Sequence, residues 1–297
     1  MRVRELMTER RNRATENLDK MSALELVTAM NREDTGVPRA IRGALSKIAE
    51  SVDLVAQRLA RGGRLIYVGS GTSGRIGALD ASECSPTFGV SPEMVQFVIA
   101  GGTNALVKAV EASEDSSENG RKDMASRRIG KRDVVVGIAA SGFTPYTISA
   151  LEYARSKGAA TIAIACNRDS ALGKSADIAI EVEVGPEVLA GSSRLKAGTA
   201  EKLICNMIST GAMVRMGRVY SNFMVNMHVK NKKLSQRGIL ILKSLAQVDR
   251  AVALEALEKA GMSIPLALVM LKTSTTKAES TRRLRKAKGN VRKAIEA

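Results

Sequence analysis

The chain has 297 residues, of which 44% are hydrophobic and 26% charged, the composition of a globular protein with one large domain or two modest ones. Its formal net charge is +16 at pH 7, a balance that suits anionic substrates, acidic surfaces or nucleic acids. Aromatic residues make up only 3% of the chain and tryptophan is absent, so few side chains could stack on bases. Nucleic acid is therefore not expected as a partner.

The sequence also narrows the chemistry that an active site could use. The N-terminal residues contain no apolar signal segment, and no run approaches the roughly 20 apolar residues of a membrane span, which predicts a cytoplasmic protein without a membrane partner. Cys84, Cys166 and Cys205 are far apart and fit no disulfide or zinc spacing. A single histidine, His228, excludes a multi-histidine metal site and disfavours a serine–histidine triad, and its apolar flanks predict a packed or edge position. We expect no metal and no cofactor, with carboxylates as acid and base.

Helical periodicity dominates the first part of the chain. Apolar residues recur at helical spacing from Leu24 to Met30 and again from Ile41 to Leu59. Pro38 suits the first turn of the second of these helices, and Gly62–Gly63 ends it. These signals predict an N-terminal helical segment over residues 1–61.

Short β-rich runs replace the helical pattern from residue 64 onwards. Five of them are mostly continuously apolar, as in strands buried on both faces: RLIYVG, MVQFVIAGG, DVVVGIAASG, ATIAIAC and ADIAIEVEVG. Helical stretches separate most of these runs, among them residues 75–84, 104–115 and 145–158. The alternation predicts a doubly wound α/β fold, a parallel sheet flanked by helices, over residues 62–235. The strand-free remainder predicts a small C-terminal helical bundle over residues 236–297.

The stretch YVGSGTSGR contains the pattern G-x-G-x-x-G, with Gly69, Gly71 and Gly74 between a predicted strand and a predicted helix. A dinucleotide site would also need an acidic residue at the end of the second strand, where it binds the ribose hydroxyls. That strand ends in Ala100-Gly101-Gly102, so the sequence argues against a dinucleotide. A helix N-terminus with free backbone amides and nearby hydroxyls suits a compact phosphate instead.

Two further loops repeat this chemistry. The run Ser141-Gly142-Phe143-Thr144 echoes Ser70-Gly71-Thr72-Ser73, and a third hydroxyl-rich turn precedes the long helix near residue 197. Loops that leave the carboxyl ends of parallel strands converge on one crevice. Any one of these loops could consist of ordinary helix caps. Together they predict a site for a sugar phosphate or similar small anion, bound by Gly71, Thr72, Ser73, Ser141, Gly142 and Thr144 and closed by Ser192, Ser193 and Lys196.

Two acidic residues stand out as candidate catalytic groups. Glu83 ends the predicted helix that leaves the first loop. Glu114 belongs to an acid-rich patch in a strongly basic chain, together with Glu111, Asp115 and Glu118. From the residues alone, the alternative that these acids form a solvated helix face stays open.

Several of these motifs occur together in one known family. The segments GSGTSGR, LDASECSPTFG, AASGFTPY and GSSRLKAGTAEKL, with MNREDTGVP nearer the N-terminus, resemble the sugar-isomerase (SIS) fold and, more narrowly, the N-acetylmuramic acid 6-phosphate etherases. The resemblance covers nearly the whole chain, and LDASECSPTFG is its most specific motif. It implies an SIS-type homodimer, in which sites often borrow groups from the neighbouring subunit.

The resemblance also implies a reaction. These etherases are carbon–oxygen lyases of cell-wall amino-sugar recycling. They remove the D-lactyl ether of N-acetylmuramic acid 6-phosphate and form N-acetylglucosamine 6-phosphate and D-lactate. By the motif match, Glu114 would remove the C2 hydrogen and Glu83 would protonate the lactyl oxygen, although the reverse assignment stays open. Phe143 departs from the family's pattern, because a polar or basic residue is common there and phenylalanine cannot donate to an anion.

Two other functions would use the same fold. A regulatory protein could sense sugar phosphates without turnover, but the presence of both acids favours the enzyme. An isomerase or aldolase-like enzyme would share the hydroxyl-rich loops, although it would not share LDASECSPTFG.

Overall fold

The computed structural model describes residues 6–108, 110, 113–229 and 231–297. Their contacts form two compact units. The first unit comprises the described part of Met1–Ser82 together with Pro92–Gly211, and the second comprises Glu83–Ser91 and Ala212–Ala297. The three-part division expected from the sequence, with boundaries after residues 61 and 235, stays a prediction.

A five-stranded sheet forms the centre of the first unit. Its strands are β1 (Leu65–Gly69), β2 (Val95–Ile99), β3 (Val134–Ile138), β4 (Ala160–Ala165) and β5 (Ile178–Glu181). They lie in the order β2-β1-β3-β4-β5, and every neighbouring pair is parallel. The order reverses between β1 and β3, and in such a sheet ligands bind outside the carboxyl ends of the two strands at the reversal. The α/β fold class predicted from the sequence is confirmed.

Helices cover both faces of this sheet. Those that begin in the first unit, within the described residues, are α1 (Ala23–Asp34), α2 (Val37–Arg42), α3 (Leu45–Ala60), α4 (Gly71–Phe88), α5 (Ser117–Ser126), α6 (Pro145–Ser156), α7 (Ala171–Lys174) and α8 (Lys196–Arg215). Tyr146 and Leu151 of α6 pack with Val135 of β3 in one apolar cluster. Tyr67 of β1 points to the other face, where its hydroxyl donates to Asp80 of α4 over 2.7 Å. Strands covered on both sides explain the continuously apolar runs.

The second predicted helix, from Pro38 to Leu59, is interrupted in the structure. α2 ends at Arg42 and α3 begins at Leu45, with Gly43 and Ala44 between them. Glycine inside a helix costs roughly 1 kcal/mol relative to alanine, so Gly43 is a favourable place for the chain to change direction.

The helix predicted over residues 104–115 is wrong for the part that the structure describes; residues 109, 111 and 112 lie outside it. The chain forms a 3₁₀ turn over Thr103–Leu106, and the next helix, α5, begins only at Ser117. Arg75 explains the interruption, because its guanidinium binds the carbonyl oxygens of Leu106 (3.1 Å) and Lys108 (3.3 Å), which a continuous helix would use internally. Glu114 therefore lies on a loop.

The second unit contains a helical bundle, as the sequence predicts. Its helices are α9 (Lys232–Ala246), α10 (Arg250–Lys259), α11 (Ile264–Thr273), α12 (Lys277–Lys286) and α13 (Val291–Glu296). Leu242, Leu257, Leu268 and Val291 belong to its apolar core. Polar N-caps begin four of these helices: Asn231, Asp249, Thr276 and Asn290. Within the described residues, no helix is long and apolar enough to cross a membrane.

Candidate active site

The loop after β1 makes a tight turn into α4. A Cβ atom on Gly69 would lie 2.9 Å from the carbonyl oxygen of Ile138 and 2.9 Å from the amide nitrogen of Gly74, so only glycine fits at the end of this strand. α4 then begins at Gly71, and a Cβ built on Gly71 would meet no atom within 4 Å. The N-terminus of α4 therefore faces open space at the β1–β3 reversal, where its free amides can bind an anion.

The loop after β3 is held by its own backbone and by neighbours behind it. The Ser141 hydroxyl oxygen accepts from the amide of Phe143 (3.2 Å). Gly142 has a φ of +76°, and a Cβ there would lie 2.4 Å from Cβ of Ser170. Asn167 supports the loop by donating to the carbonyl oxygens of Ala140 (3.1 Å) and Ser141 (3.2 Å). These contacts make the loop rigid and require glycine at position 142.

Glu114 lies where these two loops meet. Its Oε2 accepts from the hydroxyl of Ser70, the residue after β1, over 3.3 Å. Its backbone carbonyl accepts from the amide of Tyr146, in the first turn of α6, over 3.0 Å. The side chain itself is exposed. A carboxylate held at the backbone and hydrogen-bonded at one oxygen can present its other oxygen to a ligand in the crevice.

The start of α8 approaches the first loop. Thr72 Cγ2 and the carbonyl oxygen of Ser193 each lie 3.5 Å from the position that a Cβ on Gly198 would occupy. Ser192 is half-buried in the turn just before, where its amide donates to the carbonyl oxygen of Leu189 (3.0 Å). The structure therefore brings Thr72 close to the hydroxyl-rich turn at residues 192–193.

Lys196, expected to close the site, is engaged inside the protein. Its side chain is 3% exposed, and Nζ lies 2.7 Å from Oε2 of Glu33. Its backbone amide and that of Ala197 donate to the buried carboxylate of Glu187, each over 2.9 Å. The first turn of α8 is therefore capped by an internal carboxylate.

The two acids that contact the first turn of α8, Glu187 and Glu33, have pKa values shifted from the usual one. Burial raises the pKa of Glu187, and the amides of Ala197 and Lys196 offset only part of that effect. Burial also raises the pKa of Glu33, but the hydrogen bond and charge of Lys196 outweigh it, so that this pKa lies below the usual value. Glu33 is thus held as an anion by Lys196. Neither acid was apparent from the sequence as a partner of α8. Glu33 is 163 residues away from Lys196, and Glu187, nine residues before Lys196, reaches the helix only through the turn between them.

Ser73 is also committed to a carboxyl group. Its hydroxyl lies 2.8 Å from Oε1 of Glu201, a fully buried residue in the second turn of α8. Burial raises the pKa of Glu201 to about 8, against the lowering effect of the Ser73 hydrogen bond. Sequence reasoning missed Glu201 because it stands in the apolar stretch AGTAEKLICN, where its neighbours indicated only a packed helix.

The motif LDASEC contributes two acids with different surroundings. Asp80 is buried and accepts from Tyr67 (2.7 Å), Asn206 (2.6 Å) and Ser209 (3.0 Å), so it ties β1, α4 and α8 together. Glu83 lies further along α4, roughly three turns after Gly71. Its side chain is exposed, and it is the first residue of the second unit.

The described residues contain no group of three or more His, Cys, Asp or Glu side chains that could hold a metal ion. The three cysteines are buried and form no disulfide bond with one another. His228 is exposed, so the packed core position, one of the two predicted for it, is wrong, and the edge position is the one that agrees with the structure. Its apolar neighbours Val225 and Met227 fill the core of the bundle and leave the histidine outside.

Comparisons with known proteins agree with this architecture. Residues 47–155 match the family model described as the glucokinase regulatory protein N-terminal SIS domain. The chain is 50% identical over 295 residues to an N-acetylmuramic acid 6-phosphate etherase of Oenococcus oeni, covering 99% of each protein. It is 47% identical to an etherase of the same name from Clostridium beijerinckii, covering 100% of this chain and 97% of the relative.

A solved structure shares the fold. This is a candidate phosphosugar isomerase involved in capsule formation from Bacteroides fragilis, with a TM-score of 0.50 and 16% sequence identity. The match covers 67% of this chain and 98% of that one. At this identity the likeness extends to the fold alone.

Proposed function

Because the chain belongs to the N-acetylmuramic acid 6-phosphate etherase family, we propose that it removes the D-lactyl ether from carbon 3 of N-acetylmuramic acid 6-phosphate. The products are N-acetylglucosamine 6-phosphate and D-lactate, and the enzyme is a carbon–oxygen lyase of amino-sugar catabolism. The observation that carries the active-site proposal is Glu114, whose carboxylate is bound by Ser70 and whose backbone is bound by Tyr146 at the β1–β3 reversal.

The substrate phosphate binds at the open N-terminus of α4. The amides of Gly71 and Thr72 point along the helix axis, and the helix dipole favours a negative charge there. Within the described residues, the hydroxyls of Thr72 and Thr144 make no hydrogen bond, so both are available to phosphate oxygens. Ser141 and Gly142 shape the opposite wall, and Ser192 and Ser193 lie near Thr72. Lys196 contributes from behind, by fixing the start of α8 through Glu33.

Elimination requires a base at carbon 2. An alkyl ether is a poor leaving group, so direct displacement by water is slow. In the open-chain sugar the C1 aldehyde acidifies the C2 hydrogen, and a carboxylate can remove it. Glu114 takes this proton; the C2–H electron pair forms the C2–C3 double bond, and the C3–oxygen pair leaves with lactate. Binding energy from the distant phosphate orients carbon 2 against the base.

The second carboxyl group handles the leaving oxygen. Glu83 gives a proton to the lactyl oxygen as the C3–oxygen bond breaks. Water then adds to the unsaturated aldehyde, with its hydroxyl at C3 and a proton returned to C2, and N-acetylglucosamine 6-phosphate results. The role of Glu83 rests on its place in LDASECSPTFG, and isotope exchange in D₂O distinguishes this assignment of the two acids from the reverse one.

Isotope incorporation tests the reaction. The protein is incubated with N-acetylmuramic acid 6-phosphate in H₂¹⁸O, and the products are analysed by mass. We expect D-lactate without label and one ¹⁸O at C3 of the sugar. The sugar aldehyde also exchanges C1 oxygen with water, so N-acetylglucosamine 6-phosphate incubated in the same water is the control. Label in lactate would overturn the elimination. No lactate would favour the sugar-phosphate sensor, which the names of the relatives do not support.

A parallel incubation in D₂O separates the two acid roles. Elimination and hydration place one deuterium at C2 of the product. In Glu83→Gln, a base that still works at C2 should exchange the C2 hydrogen of unreacted substrate without releasing lactate, whereas Glu114→Gln should abolish both. The opposite result, with exchange in Glu114→Gln alone, would reverse the assignment.

The proposed assembly is a homodimer, and the proposed location is the cytoplasm, where a phosphorylated sugar is available. Light scattering of the purified protein measures the mass of the assembly in solution. A mass of one chain, about 31.6 kDa, would contradict the dimer.

A further inference from the structure

Glu201 is a buried acid in direct contact with the loop after β1, through Ser73. It is 0% exposed, and its Oε1 lies 2.8 Å from the hydroxyl oxygen of Ser73. Its other oxygen, Oε2, has no hydrogen-bond partner within the described residues. The proposed reaction does not use this group, so its place behind the phosphate-binding turn needs another explanation.

An ionised carboxylate is poorly accommodated in these surroundings. A buried anion is stable when it is paired with a cation or accepts several hydrogen bonds, and Glu201 has one neutral hydroxyl. The neutral acid has a smaller desolvation cost and tolerates one oxygen without a partner. Burial raises the pKa of this group to about 8, which agrees with the geometry.

The protonation state of Glu201 decides what Ser73 can do. A serine hydroxyl carries one hydrogen and two acceptor sites. When Glu201 is ionised, Ser73 must donate its only hydrogen to the carboxylate and presents lone pairs to the loop. When Glu201 carries a proton on Oε1, that proton is donated to Ser73 Oγ, and the serine's own hydrogen is free. A phosphate dianion accepts hydrogen bonds only, so it requires the second arrangement.

We propose that Glu201 is a positioning residue that, in its protonated form, donates to Ser73 and so frees the Ser73 hydroxyl to bind the substrate phosphate. The inference rests on the proposed function for the identity of the ligand. It makes phosphate binding depend on a proton held inside the protein. Substrate affinity is then highest below the titration of Glu201 and declines at alkaline pH.

Other titratable groups near Glu201 do not replace it in this role. Cys205 lies about one turn after Glu201 on α8, and Cys166 follows β4. Burial is the main cause that raises the pKa of both thiols well above the usual value, and the charge of Glu201 adds to it. Both thiols therefore remain neutral. The charge of Asp80, on α4, also raises the pKa of Cys205. The charge of Glu187, in the turn before α8, also raises the pKa of Cys166. These neighbours supply no cation to stabilise an ionised Glu201.

The test measures binding rather than turnover, so that a failure of the etherase reaction does not affect it. Calorimetry gives the Kd of N-acetylglucosamine 6-phosphate between pH 7 and pH 9, where the phosphate is already a dianion. For the wild type we expect affinity to weaken roughly tenfold by pH 9, because the competent fraction falls about tenfold one unit above a pKa near 8. In Glu201→Gln the side-chain amide donates to Ser73 at every pH, so its Kd should match the wild type at pH 7 and stay flat.

Two results would overturn the inference: a flat wild-type Kd, or the same alkaline loss in Glu201→Gln. If Glu201→Gln does not fold, Ser73→Ala provides the test. Its affinity at pH 7 should fall about tenfold, because one charge-assisted hydrogen bond to the phosphate is lost. Unchanged affinity would refute the role of Ser73. In turnover measurements, the alkaline loss of affinity and the effect of Ser73→Ala should both appear as a higher KM, with kcat within about twofold of the wild-type value at pH 7. A flat Kd together with lactate release would remove this inference alone, whereas absent lactate with a pH-dependent Kd would remove only the etherase proposal.

Discussion

The two loops that follow β1 and β3 share the pattern serine, glycine, any residue, then serine or threonine, yet the structure uses them differently. After β1, both serines are bound to carboxyl groups from elsewhere: Ser70 to Glu114 and Ser73 to Glu201. After β3, Ser141 accepts from the backbone of its own turn, and the Thr144 side chain makes no capping bond. The first loop depends on distant acids, whereas the second depends on its own backbone and on the neutral side chain of Asn167.

We therefore expect the first loop to affect protonation and the reaction, and the second loop to affect the shape of the site. Changes at Glu114 should alter the chemical step, and changes at Glu201 should alter the pH dependence of binding and of stability. Changes in the second loop should alter stability and binding, with little effect on the chemical step.

The largest effect should come from Glu114. Replacing it with Gln keeps the shape and removes the base, so kcat should fall by at least about 10²-fold, the lower range for loss of a general base, with folding unchanged. Lactate release under saturating substrate measures it. Glu118→Gln, an exposed acid in the first turn of α5, is the matched control and should retain wild-type turnover. Near-normal kcat in Glu114→Gln would remove the base assignment.

Glu201 should make stability depend on pH in a specific direction. Its pKa is raised to about 8 in the folded protein, so the folded state keeps a proton that the unfolded state releases above about pH 4. Stability is therefore lost as pH rises from about 4 to 8 and stays low above that. The total cost is on the order of a few kcal/mol.

Glu201→Gln removes this titration. Relative to wild type, the free energy of unfolding of this variant should increase between pH 5 and pH 8, as measured by urea denaturation at each pH. Glu118→Gln should show a constant difference. Parallel curves for Glu201→Gln and wild type would contradict the raised pKa.

The second loop should respond most to a change at Gly142. Alanine there must adopt a φ of +76° and would place its Cβ 2.4 Å from Ser170. We expect a loss of about 2–4 kcal/mol in unfolding free energy from backbone strain and overpacking together. Gly71→Ala is the control, because φ is also positive but the space is open; it should lose only about 1 kcal/mol. Equal losses would show that the Ser170 contact does not matter.

The smallest effect should come from Ser141. Alanine removes the acceptor for the Phe143 amide and loosens the turn, so KM should rise a few-fold while kcat stays within about twofold. Ser156→Ala, at the exposed end of α6, should change neither constant. A fall in kcat without a change in KM would place Ser141 in the chemical step and blur the division between the loops.

Much of the fold was predictable because local patterns dominate it. The five continuously apolar runs, the glycines at positions 69 and 142 and the strand-free tail each reflect burial or backbone geometry that a few neighbouring residues impose. The helix expected over residues 104–115 failed because a single distant side chain, Arg75, binds the carbonyl oxygens that the helix needed. Propensity cannot anticipate such a contact.

Residue types at short spacings are enough to predict the fold class, the hydroxyl-rich loops and the family. Which donors are available in those loops depends on the tertiary structure. It bound Ser73 to Glu201, paired Lys196 with Glu33, and brought Ser70 to Glu114. Each of these pairs joins segments at least 40 residues apart, and the partner that a polar group finds is set by how helices pack on the sheet, which local sequence does not encode.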